Sequence, residues 1–240
     1  LVVWHTEIRP RTGRARRLSM DAFEGEGVFD ACMEAVQFVG TTLSQFFLND
    51  PSTGAIDAGL AAMAALDVDA AADEWPFADE PEARCALALM HEGALQREAD
   101  GGEAMKWEYR RLFVGPQSLP APPWGSVYTD RDCVVFGEST IALRSWMRAR
   151  GIERLNDEKD PEDHIGLVLA MAAWLAEEKP ELVGEFLRLH VLPWSGHLLE
   201  QLEAAAEHPF YKGLASIART SLSGMRDAFG LEVVEPRFYR

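Results

Sequence analysis

Apolar residues recur along this chain at helical spacing, not in alternation. Phe29, Met33, Val36, Gly40, Leu43 and Phe47 step by fours and threes and so mark one face of a helix. The polar run Asn49-Asp-Pro-Ser-Thr-Gly54 ends it. An alanine-rich stretch over 55–66 predicts a second helix. A third is predicted over 79–98, with Pro81 in its first turn, where a missing N–H is harmless. Asp100-Gly-Gly102 breaks that helix, and 103–113 predicts a fourth. Further helices are predicted over 139–150, closing at Gly151, and 161–178, closing before Pro180. The last three are expected over 180–190, 194–207 and 209–229. There is no repeat and no alternation of strand with helix. The pattern therefore predicts an all-α, single-domain bundle of about nine to eleven helices.

Between the fourth and fifth helices the pattern is interrupted. Pro116, Pro120, Pro122 and Pro123 fall close together, and Trp124 follows directly. Proline fixes φ and removes a donor, so this segment is neither helix interior nor central strand. It is a stiff, proline-rich central loop, and ordered loops that carry aromatics are common binding surfaces. The following stretch, 127–136, has strand-like residues broken by Asp130, Arg131 and Asp132. It reads as a loop or a short extended piece.

Composition narrows the classes. No apolar run approaches the ~20 residues that cross a bilayer, and no secretory signal is legible at the N-terminus. Cys32, Cys85 and Cys133 are odd in number and scattered, which fits a reducing, cytoplasmic setting and no disulfide framework. The formal net charge is −16, unevenly spread. Residues 1–19 carry five arginines against Glu7, a net +4, and the remaining 18 basic and 38 acidic residues leave −20. An acidic body repels nucleic acid and favours cationic partners. The basic head stops at Met20, the expected natural start. Residues 1–19 then form a basic extension, expected to be disordered, ahead of a helical domain over 20–240.

Candidate chemistry is sparse. At Asp160-Pro-Glu-Asp-His164, Asp160 is an expected N-cap and Pro161 the first helical position. That leaves His164 unexplained, because a helix N-terminus disfavours a charged imidazole. His164, His190 and His197 lack the spacing of a zinc helix, so no metal is expected. Ser126 and Ser195 fit no nucleophile elbow. No phosphate-cradling loop is present. Trp194 is expected in the core.

Seven short segments taken together resemble a known family. They are Arg111-Leu-Phe-Val-Gly-Pro116, Leu119-Pro-Ala-Pro-Pro-Trp-Gly-Ser-Val127, Phe136-Gly-Glu-Ser-Thr140, Pro161-Glu-Asp-His164, Met171-Ala-Ala-Trp-Leu-Ala176, Pro193-Trp-Ser195 and Glu207-His-Pro-Phe-Tyr211. In order and spacing these resemble the TorD/DmsD family of cytoplasmic chaperones for exported molybdenum enzymes, on its DmsD side. The resemblance implies an all-helical protein without catalytic activity or cofactor. It implies binding of the twin-arginine signal peptide of a molybdopterin-containing reductase catalytic subunit, which delays Tat export until the cofactor is inserted. Tat translocase components are further candidate partners, and a monomer or a domain-swapped dimer suits the fold. Carried over by motif, the leader-binding surface comprises Tyr109, Leu112, Phe113, Pro123, Trp124, Tyr128, Pro161, Asp163 and His164. Tyr109 stands where such sequences often have tryptophan, and Gln117 where they have an aromatic.

The residue types agree with that implication. An acidic trough walled by rings and prolines suits guanidinium groups followed by an apolar run. On this reading Asp163 pairs directly with arginine, and Asp163→Ala weakens binding at least tenfold without unfolding the protein. Two readings stand against it: a hydrolase using Ser126 with His164, and a helical structural subunit of a larger assembly.

Overall fold

The computed structural model describes residues 26–153 and 160–240. The basic segment 1–19 lies outside the described residues, as do 154–159. The regular structure of the described residues is helical, with no strand among them, as the apolar spacing predicts.

Helix α1 (Glu26–Leu48) buries the predicted face: Met33, Val36, Leu43 and Phe47 are inside, with Phe29 packed against the core. It lies along α8 (Ile165–Glu178), the most apolar helix, which is buried on most of its surface as a central helix should be. The two backbones approach closely at Gly40, where a Cβ would lie 2.5 Å from the Leu169 carbonyl oxygen. The second layer is α4 (Glu80–Asp100) against α11 (Pro209–Ala228), with α10 (Leu192–Ala205) beside α11. Helix α11 buries Phe210, Leu214, Ile217, Ala218, Leu222 and Met225 at steps of three and four.

The remaining elements connect these layers. Helices α2 (Asp57–Ala64) and α3 (Val68–Glu74) pack on α4. The sequence pattern did not separate α3, which is short and mostly alanine and acid, and which Asp67 caps by accepting the Ala70 amide. Helix α5 (Glu103–Tyr109) runs into a π-helical turn, Arg110–Val114. The stretch expected as loop or extended chain is instead one short helix, α6 (Ser126–Thr129), followed by turns in which Cys133 and Phe136 take positive φ. Helix α7 (Glu138–Ala149) follows.

The chain passes from α9 (Val183–Phe186) through a π-helical turn, Leu187–Val191, into α10 without the break expected before Pro193. Proline has no N–H to offer there, and beside it the Trp194 indole donates to the His190 carbonyl at 2.8 Å. Trp194 is buried, as its position in the sequence predicts.

Candidate functional site

The proline loop is fastened to the segment before α8. Ile165 donates its amide to the Pro123 carbonyl at 2.8 Å, and Gly125 donates to the Asp163 carbonyl at 3.0 Å. These two bonds make an isolated antiparallel bridge between Trp124 and His164. Because 160–164 is used in this pairing, it is not helical. The expected helix start at Pro161, with Asp160 as cap, is therefore corrected: α8 begins at Ile165 and its N-cap is His164. The imidazole Nδ1 accepts the Gly166 amide at 3.1 Å. A neutral histidine thus does what serine or aspartate more often does, which is the role for His164 that the local sequence left unexplained.

Asp163 is buried, and its carboxylate is committed within the chain. Oδ2 accepts the Ser126 amide at 2.6 Å and the Ser139 hydroxyl at 2.6 Å. Oδ1 accepts the Thr140 hydroxyl at 2.8 Å. One side chain therefore joins the proline loop, the start of α7 and the approach to α8. This is a different use of the group from direct pairing with an arginine.

Of the nine residues expected at the binding surface, Trp124 is half-buried and the other eight are buried. They form two adjoining groups. Trp124 and His164 meet edge to face with ring centroids 5.9 Å apart. Tyr109 and Phe113 lie 5.1 Å apart, and both pack on Tyr211. Phe47 connects the groups: it packs on Phe113, accepts the Tyr109 hydroxyl through its carbonyl at 3.4 Å, and lies against Gly166. Leu112 is fully enclosed, and Tyr128 sits beside His197. Burial drives the Tyr109 and Tyr128 phenols well above their ordinary range, so both stay neutral. The rings are the floor of the region, and Trp124 is the part that reaches solvent.

A further fixed point lies at the far end of the π-helical turn. Glu108 takes both nitrogens of Arg111, at 2.7 and 2.8 Å, and the amides of Glu207 and His208. Burial opposes its ionisation, but the Arg111 bonds and the two amides outweigh that and hold the carboxyl below its usual range. His208 caps α11 by accepting the Phe210 amide.

The sequence reading missed Trp107 and Val114, both 63% exposed. They flank the buried Tyr109–Phe113 group. Trp107, Pro116, Gln117 and Pro120 line an open groove of about 900 Å³. Trp107 stands off the inward face of α5, and an aromatic out of register was the signal available. Val134, Val135, Phe136 and Ile141 are also exposed, beside Ser139 and Thr140.

Catalytic arrangements find no support among the described residues. Ser126 Oγ is fully enclosed and makes no hydrogen bond, and His164 Nδ1 is occupied by the Gly166 amide. Among the described residues no cluster of histidine, cysteine and carboxylate is placed to hold a metal ion, and no helix is long and apolar enough to cross a membrane.

The chain is similar in sequence to known proteins. Residues 78–200 match a family model described as nitrate reductase delta subunit. The probable Tat proofreading chaperone DmsD of Haemophilus influenzae is 39% identical over 167 residues, which cover 70% of this chain and 79% of that protein. The Tat proofreading chaperone DmsD of Salmonella typhimurium is 41% identical over 151 residues, 62% of this chain and 70% of that protein. The chaperone protein TorD of Vibrio cholerae is 25% identical over 136 residues, 52% of this chain and 61% of that protein.

Proposed function

Because this chain belongs to the TorD/DmsD family, whose model is described as nitrate reductase delta subunit, we propose that it is a Tat-proofreading chaperone in redox-enzyme maturation. In this reading it works in the cytoplasm, without catalysis. It binds the twin-arginine signal peptide of a molybdopterin-containing reductase catalytic subunit and delays export until the cofactor is in place.

One observation carries the reading. Trp124 is locked to His164 through the backbone while its ring stays partly in solvent. A rigid, partly exposed ring on a proline frame offers contact area at little entropic cost. Pro123 precedes it, Pro161, Asp163 and His164 fix its position, and Tyr109, Leu112, Phe113 and Tyr128 make up the buried part of the same expected surface. In this role Asp163 is a positioning residue. The leader's apolar run is held against Trp124 and the proline edge, and its guanidinium groups face the acidic body.

The test is capture by the leader alone. A reporter protein carrying only a twin-arginine leader, immobilised and exposed to the full chain, is expected to retain it. Retention by a folded reductase subunit but not by the leader would favour the structural-subunit reading instead.

A further inference from the structure

Residues 231–240 leave the end of α11 and run without regular structure back across the molecule to the proline loop and α6. The contacts at their far end are specific. The Phe238 ring stacks on His197 at 4.1 Å with planes 8° apart. The Tyr239 amide donates to the Tyr128 carbonyl at 3.0 Å. The Arg240 guanidinium donates to the Leu119 carbonyl at 2.6 Å, and the Arg240 carbonyl lies 2.7 Å from His197 Nε2. Cys133 Sγ reaches the Tyr239 carbonyl at 3.7 Å.

Two features separate this from ordinary packing of an irregular segment. First, the segment is held largely through backbone groups, one stacked ring and one guanidinium, while Tyr239 is 41% and Val234 86% exposed. Such a segment opens at small cost compared with a core helix. Second, its composition is a guanidinium and an apolar ring in extended chain, which is what the leader-binding reading requires of a ligand. Tyr128, whose carbonyl the segment takes, also has a buried hydroxyl that makes no hydrogen bond.

We propose that Leu119, Tyr128, Cys133 and His197 form a groove for extended peptides bearing arginine and an apolar ring, that residues 237–240 are its resident occupant, and that a twin-arginine leader displaces them. This rests on the leader-binding reading above. A segment tethered within the same molecule has an effective concentration in the millimolar range or above, so even weak intrinsic affinity keeps it seated and lowers leader affinity by about tenfold.

The experiment uses the full chain carrying F238A/R240A, with Tyr239→Pro as a second variant that removes one backbone donor. A synthetic twin-arginine leader is titrated by calorimetry into wild type and variants. A synthetic peptide of residues 231–240 is titrated separately into F238A/R240A by NMR, up to millimolar concentration. The expected result is leader binding about tenfold tighter in the variants at unchanged melting temperature, with the tail peptide shifting the signals of Tyr128 and His197. Equal or weaker leader binding in the variants overturns the displacement while leaving leader binding itself intact. If no leader binds any form, the functional reading fails. The tail-peptide titration then still decides the groove: shifts at Tyr128 and His197 uphold it, and their absence rejects it.

Discussion

The Asp163 carboxylate accepts the backbone N–H of Ser126 at 2.6 Å, across 37 positions of sequence. That bond sets where the proline loop sits relative to α8, and with it where Trp124 is presented. Asp163→Ala removes the acceptor for one buried amide and two hydroxyls. A buried donor left unsatisfied costs on the order of 1–3 kcal/mol, so the total loss is expected near ~3 kcal/mol. Denaturant unfolding measures it, and an unchanged midpoint would contradict this role. Leader binding is expected to weaken at least tenfold in the same variant, through loss of the loop's position.

Trp124→Ala is expected to weigh more on binding than on folding. The side chain is mostly buried against the edge of the core, so folding stability falls by about 1–2 kcal/mol, less than for a fully enclosed tryptophan, while a lost aromatic anchor costs roughly 2 kcal/mol in binding. Paired thermal melts and peptide titrations separate the two effects. A large stability loss with intact binding would place the ring in the core.

Gly125 sits under Trp194, and a Cβ there would lie 2.5 Å from the indole. Both the α6 backbone and a buried tryptophan would have to shift. Gly125→Ala is therefore expected to destabilise by about 2 kcal/mol through overpacking. A melting temperature equal to wild type would show that the seam accommodates a methyl group.

His190 gives stability a pH dependence. Burial against Trp146 and Phe186, with the Arg150 charge second and Glu185 opposing, lowers its pKa from 6.5 to about 4. An unfolded chain takes up the proton near 6.5, whereas the folded protein refuses it until about 4. The contribution is thus fully present above about pH 6.5 and declines as pH falls towards 4, by at most about 3 kcal/mol. His190→Leu is expected to flatten the slope of denaturation midpoint against pH in that window. An identical slope in the variant would assign it to other groups.

The helices were legible because their apolar residues keep a 3.6 period over long stretches: the inward face of α1 runs from Met33 to Phe47 as the spacing requires. The start of α8 was misread for a physical reason. Asp160-Pro161 has every local mark of a helix N-terminus, but the backbone at 163–165 is taken by the proline loop, a partner some forty residues away that no local pattern reveals. The same limit applies to the site. Sequence named Trp124, Asp163 and His164 as neighbours, and the bridge brings them together. It could not say that Asp163 spends its oxygens on Ser126, Ser139 and Thr140, because that depends on how α7 returns. Nor could it place Trp107 in solvent, since one aromatic out of register is a weak signal.

The most direct measurement is calorimetric titration of the full chain with a synthetic twin-arginine leader, beside the same peptide with both arginines replaced by glutamine. Saturable one-to-one binding is expected for the first, and at least tenfold weaker binding for the second, as loss of charge-assisted bonds worth about 1.5–3 kcal/mol implies. Equal affinity for the two peptides, or no binding of either, would contradict the account.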